Sequence, residues 1–314
     1  MVRDASLAVV IVCFNTREHL AACLATVLPE SPRQVVVADN GSADGSIAMV
    51  RQQFPSVVVD VDGSNPGYGA AANRGIRRCG TADVLLLNSD TRLRSGALAR
   101  LRAYLDAHPR AGIVGPRLLN ADGTLQPSCL PFPSALRPPC ERNLLEPLVR
   151  RIPKLRERCL STWSHAQARV VPAVMGAALA IRRAAFDAVG GFDERFFMYA
   201  EETDLCFRMS SAAWETHFAP VTDIVHIGRA STRQRRVAML EQSALSSIQF
   251  VDRHYSGRQH GGALFAIRCG MAVRMLRDQA RYFWATDGDR RRELAENLGV
   301  WRRVLLALRG TPAT

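Results

Sequence analysis

Three carboxylates crowd into four positions of this chain: Glu201, Glu202 and Asp204, in Phe-Phe-Met-Tyr-Ala-Glu-Glu-Thr-Asp-Leu-Cys-Phe-Arg, ending at Arg208. Their neighbours are aromatic or apolar, residues that ordinarily seek burial. Ionised carboxylates are seldom buried without partners, and like charges this close raise one another's pKa. Such a cluster suits a general base, a metal site, or both. The plain structural alternative is a helix start with acids at its positive end.

Other residues with chemical potential follow apolar runs. Asp39 ends Val-Val-Val-Ala-Asp and can accept hydrogen bonds from ribose hydroxyls or a base N–H. Asp44-Gly45-Ser46, just beyond it, reads as a turn and helix cap. Asn65-Pro66-Gly67-Tyr68-Gly69 leads towards Asn73, and its glycines permit a tight turn and close backbone approach to a phosphate. Asn88-Ser89-Asp90 ends Val-Leu-Leu-Leu and offers Asp90 as a ligand for a divalent metal held against a diphosphate. His226, after Ile224-Val225, is the candidate second metal ligand, although a lone histidine is more often structural.

These residues need a scaffold, and the pattern around them supplies one. Leu7 to Phe14, Gln34 to Ala38, Val57 to Val61 and Val84 to Leu87 are short β-branched or leucine-rich runs suited to buried parallel strands. Helical stretches separate them at Arg17 to Val27, Gly45 to Phe54 and Gly69 to Arg77. The expectation is an α/β fold: a Rossmann-like, mostly parallel central sheet flanked by helices, with ligands beyond the carboxyl ends of the strands. From Pro116 to Val171 prolines are dense and no period survives, which predicts an irregular acceptor-side insert or lid. A strand over Ala173 to Ile181, a short helix through Phe186, and strands at Thr216 to Pro220 and Ile224 to Ile227 follow. Beyond Arg233 the spacing predicts helices at Val237 to His254, Ala263 to Trp284 and Arg290 to Leu308. The second mixes Phe265, Met271, Leu276, Phe283 and Trp284 with four arginines, which suits either a membrane interface or a packed helix with a solvated basic face.

Composition narrows the partners. In 314 residues, 47% apolar and 22% charged, wholesale disorder is not expected. The 41 Lys+Arg against 29 Asp+Glu give +12, nearly all of it arginine, which favours an anionic partner or reflects Arg-rich coding. The eight cysteines are scattered without a C-x-x-C pair, as free buried thiols are, so disulfides and zinc are not expected. No secretory signal opens the chain and Leu7 to Phe14 is too short to span a bilayer. A cytoplasmic protein, peripheral on a membrane at most, is the expectation.

The ordered set of motifs resembles family 2 glycosyltransferases of the inverting GT-A type, and particularly their bacterial rhamnosyltransferase-like branch. The matching blocks are Val9 to Asn15, Ala38 to Ser46, Asn65 to Gly69 with Asn73, Asn88 to Asp90, Gly176 to Arg183, Gly190 to Glu194, Glu201 to Leu205, and His226 with Ser231. The resemblance covers roughly residues 7–232. It implies a GT-A catalytic domain over 1–232, containing the 116–171 insert, and a helical extension over 233–314. It implies that Asp39 contacts the nucleoside of a nucleotide diphosphate sugar, with Asn15, Asn40, Asn65, Gly67, Asn73, Asn88 and Ser89 around the donor. Asp90, with His226, would hold Mg2+ or Mn2+ on the diphosphate. Glu202 stands where the family carries the aspartate that acts as catalytic base. Glu201 is the runner-up and Asp204 an orienting or capping acid.

The same resemblance favours dTDP-L-rhamnose as donor. A glycan or polyprenyl-diphosphate-linked acceptor is implied, at the inner leaflet of the cytoplasmic membrane, in cell-surface polysaccharide assembly such as O-antigen. One departure is Ser210 to Trp214, where many relatives place glycine before the aromatic; only a turn should change. Two readings from other classes stand beside this one. A basic nucleic-acid-binding protein would account for the charge, but no such motif is present, so nucleic acid is not expected as a partner. A catalytically inactive scaffold of the same fold is the other.

Overall fold

Apolar runs without polar alternation must be covered on both faces, and the computed structural model, which describes residues 4–134, 151–152, 154, 159–160, 162–228 and 236–308, places them so. The strands are β1 (Asp4–Cys13), β2 (Val35–Asp39), β3 (Val58–Val61), β4 (Thr81–Asn88), β5 (Thr91–Leu93) and β6 (Ala111–Leu119), followed by β7 (Leu125–Gln126), β8 (Cys129–Leu130), β9 (Arg169–Val170), β10 (Ala173–Val174), β11 (Ala178–Arg182) and β12 (Glu215–His226). The helices are α1 (Arg17–Val27), α2 (Ser46–Gln53), α3 (Tyr68–Arg77), α4 (Ala97–Ala107), α5 (Arg183–Ala188) and α6 (Glu201–Ser211), then α7 (Arg236–His254), α8 (Gly257–Trp284) and α9 (Gly288–Ala307).

The main sheet runs β3-β2-β1-β4-β11-β6-β12-β5, with β7 on β6 and β9 on β12. β1, β2, β3 and β4 are mutually parallel, as are β6 and β12, while β11 and β5 run antiparallel to their neighbours. Val9, Val10 and Ile11 of β1 and Leu85, Leu86 and Leu87 of β4 are fully buried, and Val9, Ile11, Leu85 and Leu87 share one core with Leu20, Leu24, Leu101 and Leu105 of α1 and α4. This mixed α/β sheet with flanking helices is the expected fold class.

Several elements depart from the sequence reading. α4, β5 and β6 fall in a stretch left without elements. β6 is broken up on paper by Gly112, Gly115 and Pro116, yet the glycines are small because neighbours press on them. A Cβ at Gly115 would lie 2.8 Å from the Val174 side chain. The two strands expected between Thr216 and Ile227 are one strand, β12, whose register slips between Phe218 and Asp223. β3 sits at the sheet edge, so Val58 and Val61 are exposed rather than buried. α8 begins six residues before the expected Ala263. Of the irregular insert, only parts are described, and residues 135–150, together with Ser231 and the expected boundary near 232, lie outside the described residues.

The described residues gather into two compact units. The first contains β1–β12 and α1–α6; the second contains α7–α9 and the short segment 198–200. The second unit has its own core of Ala244, Ile248, Met271, Val300, Trp301 and Val304. Inside it the Trp301 indole N–H donates to buried Asp278 at 3.0 Å.

Candidate active site

Parallel strands deliver their last residues to one edge, and the first cluster forms where β1 and β2 end. Asp39 is fully buried, and its carboxylate accepts from the backbone N–H of Gly41 and Ser42, both at 2.9 Å, and from the Ser42 hydroxyl. Asn15, in the left-handed region at φ 51°, donates its N–H to the same Ser42 hydroxyl and accepts from Ala43 N at 2.8 Å. Asp44 caps Ser46 and accepts from Arg17 N at 2.8 Å, the cap role foreseen for it. Asn40 reaches to the next turn and donates to the Gly67 carbonyl at 3.0 Å. Asn15, Asp39 and Asn40 are therefore brought together.

At the β3–α3 turn Asn65 is left-handed, and Gly67 has φ 104°. The close backbone approach foreseen at Gly67 is made by the protein itself: a Cβ there would lie 2.3 Å from the Phe197 carbonyl oxygen. Tyr68 N donates to that same oxygen at 2.9 Å. The turn thereby fixes the segment that leads into α6. Asn73 points elsewhere than the Asp39 turn. Its amide donates to the Phe192 carbonyl and to Glu194 and accepts from Phe192 N, each at 2.9 Å, tying the Gly190–Glu194 turn to α3.

The second cluster depends on a long-range pairing. β5 runs antiparallel to β12 so that Thr91 faces His226, and Ile227 N donates to the Asp90 carbonyl at 3.1 Å. This puts His226 Nε2 3.3 Å from Asp90 Oδ1, with Asn88 Nδ2 at 3.4 Å from the same nitrogen. Ser89 is buried against Thr16, hydroxyl to hydroxyl at 2.7 Å. Asp90 and His226 are both nearly buried.

The third cluster is the acidic one. α6 opens directly on Glu201 and Glu202, after Tyr199 and Ala200, both left-handed at φ 66° and 63°. Glu201 is buried and Glu202 half-buried, and the Oε2 atom of each is enclosed without a hydrogen-bond partner among the described residues. Burial raises both pKa values, and the charge of Glu202 drives that of Glu201 up further, well above the usual carboxylate range. Glu202 lies over Gly176, whose absent side chain leaves room: a Cβ there would be 3.6 Å from Glu202 Cβ. Backbone N–H groups of Gly176 and Thr203 act against the effect of burial on Glu202. Asp204 has another role, for it is fully buried and paired with Arg208 at 2.6 Å. Arg208 also donates to the Val189 carbonyl at 2.7 Å, so this acid fastens α6 in place.

Tyr68 joins the second and third clusters. Its hydroxyl donates to the Gly176 carbonyl at 2.8 Å. Burial pushes its pKa well up, and the carboxylates of Glu201, Glu202 and Asp90 all oppose its ionisation. Buried carboxyls with unmatched oxygens are candidates for proton transfer, and the Asp–His pair at the strand edge brings a carboxylate and an imidazole nitrogen together.

A family model for glycosyltransferase-like family 2 matches residues 4–244. The chain belongs to this family. An N-acetylglucosaminyl-diphospho-decaprenol L-rhamnosyltransferase of Mycobacterium tuberculosis is 32% identical over 297 residues, 88% of this chain and 94% of that protein. A pre-mycofactocin glycosyltransferase of the same species is 27% identical over 74% of this chain and 46% of its own. Among solved structures, a mannosyltransferase from Pyrobaculum calidifontis in complex with GDP-Man and Mn2+ superposes with TM-score 0.57 at 16% identity, covering 98% of this chain and 86% of that one. GalNAc-T7 with UDP, GalNAc and Mn2+ gives TM-score 0.54 over 70% of this chain and 43% of its own. The fold of this glycosyltransferase family member is thus GT-A.

Two residues of the site escaped the sequence reading. Tyr68 was visible only as part of a glycine turn, and its hydrogen bond to Gly176, the residue beneath Glu202, depends on a long-range pairing. Gln126, which bonds His226 Nδ1 at 2.7 Å, lies in the stretch that carries no periodic signal.

Proposed function

We propose that this protein is an inverting, metal-dependent glycosyltransferase that moves a sugar from a nucleotide diphosphate to a hydroxyl of a polyprenyl-diphosphate-linked glycan. L-Rhamnose from dTDP-L-rhamnose is the leading donor. The observation that supports the reading is the pair of carboxyls opening α6, Glu201 and Glu202, each with an enclosed and unmatched oxygen, together with the Asp90–His226 pair at the strand edge. The substrate classes draw support from the 32% identical decaprenol-linked rhamnosyltransferase. The first unit carries this activity in our reading.

The donor set suits a hard or borderline divalent ion. One carboxylate and one imidazole nitrogen face each other in Asp90 and His226, and among the described residues no group of three or more His, Cys, Asp or Glu is arranged to hold a metal ion by itself. Mg2+ or Mn2+ would leave its other positions to diphosphate oxygens and water. When bound there, the ion would neutralise charge growing on the departing diphosphate.

The chain's own residues do the rest. Asp39, Asn15 and Asn40 frame the turn on which the nucleoside rests, with Asn65, Gly67, Asn88 and Ser89 lining the way to the diphosphate. Asn73 holds the Phe192 turn that supports them. Glu202 takes the proton of the acceptor hydroxyl as its oxygen forms the new bond to the anomeric carbon. The bond from that carbon to the diphosphate breaks on the opposite face, its electron pair leaving with the nucleotide. Glu202 is our choice of base because it is half-buried where Glu201 is buried, and an acceptor hydroxyl must reach it. The charge of Glu202 in turn raises the pKa of Glu201, beyond what burial does.

We place the protein peripherally at the inner leaflet. On α8, Phe265, Leu276 and Phe283 are exposed, and their spacing puts them within about 20° of one another around the helix. Trp284 is exposed beside them, with Arg268 to one side of the stripe and Arg277 to the other. Among the described residues no helix is long and apolar enough to cross a membrane. An exposed apolar stripe with arginines beside it suits interfacial attachment. Co-sedimentation with anionic vesicles should fall in the Phe283→Ser/Trp284→Ser variant, and unchanged binding would remove this placement.

The activity is tested by incubating the protein with dTDP-L-rhamnose, Mn2+ and N-acetylglucosaminyl-diphospho-polyprenol, then weighing the lipid product by mass spectrometry. A gain of one deoxyhexose that requires the metal supports the reading. No gain with this donor or any other nucleotide sugar, under conditions where the protein is folded, would overturn it.

A further inference from the structure

The hairpin after β6 contains a chain of hydrogen bonds whose direction is fixed at one end. The Asp122 carboxylate accepts from the Thr124 hydroxyl at 2.6 Å, and an ionised carboxylate can only accept. The Thr124 oxygen, having donated its proton, accepts from Asn120 Nδ2 at 2.9 Å. That orients the Asn120 amide, so its Oδ1 accepts from Gln126 Nε2 at 2.9 Å. Gln126 Nε2 also reaches the His226 carbonyl at 3.4 Å, a second acceptor that fixes the same amide orientation. Gln126 Oε1 then faces His226 Nδ1 at 2.7 Å, and an oxygen acceptor there requires Nδ1 to carry the hydrogen. His226 Nε2 is left with its lone pair, turned to Asp90 Oδ1 at 3.3 Å and within reach of the Asn88 amide N–H at 3.4 Å.

We propose that Gln126 is a positioning residue: the Asp122–Thr124–Asn120–Gln126 relay locks His226 in the Nδ1–H tautomer and so presents a bare Nε2 beside Asp90 for a divalent cation. The proposal rests on the metal-dependent reading of the site. Its logic is the partner logic of metal-binding histidines, in which the nitrogen away from the metal donates to a fixed acceptor that sets tautomer and ring angle. Here the acceptor is a neutral amide, held by a turn anchored on the Asp122 carboxylate. The register places it: Gln126 pairs with Leu118 on β6, and β6 pairs in parallel with the end of β12 that carries His226.

The test compares Gln126→Met, which has no acceptor oxygen, with Gln126→Glu, which keeps one. In protein with 15N-labelled histidine and no metal, ring-nitrogen shifts report the His226 tautomer, its signals being assigned by their loss in His226→Ala. The parent and Gln126→Glu should show Nδ1–H, and Gln126→Met should lose that preference while its unfolding midpoint stays near parental. Mn2+ affinity, read by electron paramagnetic resonance with dTDP present, should weaken about 10–100-fold in Gln126→Met and recover in Gln126→Glu. A parental His226 protonated on Nε2, or parental Mn2+ affinity in Gln126→Met, would overturn the proposal. If instead Mn2+ binding were absent from the parent or survived in Asp90→Asn, the metal reading itself would fail. The tautomer measurement would then still judge Gln126 by itself.

Discussion

In the proposed mechanism, replacing Glu202 by glutamine removes one capacity from the site, that of taking a proton from the acceptor hydroxyl. The side chain keeps its length above Gly176, and the amide oxygen can still accept from the backbone N–H groups of Gly176 and Thr203. The fold should therefore change by less than about 1 kcal/mol, the net worth of one such bond. Catalysis should change far more. A general base contributes about a hundred- to ten-thousandfold, which is about 2.7–5.4 kcal/mol of barrier at 1.36 kcal/mol per tenfold. Burial holds the Glu202 pKa above the ordinary range, making its carboxylate a stronger base than a solvated one, so the upper part of that span is expected. The assay is single-turnover transfer to acceptor, with donor affinity measured separately by calorimetry. Donor affinity should be parental and transfer reduced by two to four orders of magnitude, in line with that general-base range. Glu201→Gln, run alongside, should retain much more activity. Parental transfer by Glu202→Gln, with Glu201→Gln inactive, would refute the assignment and hand the role to Glu201.

Other outcomes follow from the same geometry. Gly67→Ala combines an unfavourable φ with a Cβ set 2.3 Å from the Phe197 oxygen; urea unfolding should show a loss of about 2–5 kcal/mol, and an unchanged midpoint would mean the turn is laxer than described. Arg208→Ala leaves Asp204 buried without its cation and should cost about 3 kcal/mol in stability, whereas a purely kinetic defect would make Asp204 part of the chemistry instead. The acid limb of kcat/KM should lie above the usual carboxylate range, because Glu202 must be ionised to act and burial raises its pKa. For Glu201 the stability sign runs the other way from a salt-bridged acid. Between its ordinary value near 4.5 and its raised folded value, the folded state holds the extra proton, so stability falls as pH rises through that window. Glu201→Gln removes this fall, and its melting temperature relative to the parent should increase from pH 5 to neutrality.

Much of the site was readable because parallel α/β sheets present ligands at strand ends, and Asp39 and Asp90 follow apolar strands directly. The acidic cluster was readable as an electrostatic problem, and the structure leaves Glu201 and Glu202 with enclosed, unmatched oxygens. What sequence could not supply was pairing across long separations. His226 meets Asp90 only because β12 returns antiparallel to β5, and nothing local in either segment encodes that register. Gly67 looked like a phosphate-facing glycine, but the backbone it admits belongs to Phe197. α4 was legible and overlooked: Leu98, Leu101 and Leu105 recur at helical spacing and are buried. Asn73 illustrates the converse, since a motif asparagine beside a donor site can act by holding another turn, here Phe192.

The central claim is a single displacement at the anomeric carbon, with Glu202 drawing the proton from the incoming hydroxyl. The most direct test is the anomeric configuration of the product, read by the one-bond carbon–hydrogen coupling at C1 in NMR after transfer from a nucleotide sugar of known configuration. A single displacement, with the base on the face opposite the leaving diphosphate, predicts a product of opposite configuration to the donor. A product of the same configuration would require a double displacement or a front-face path and would contradict the account.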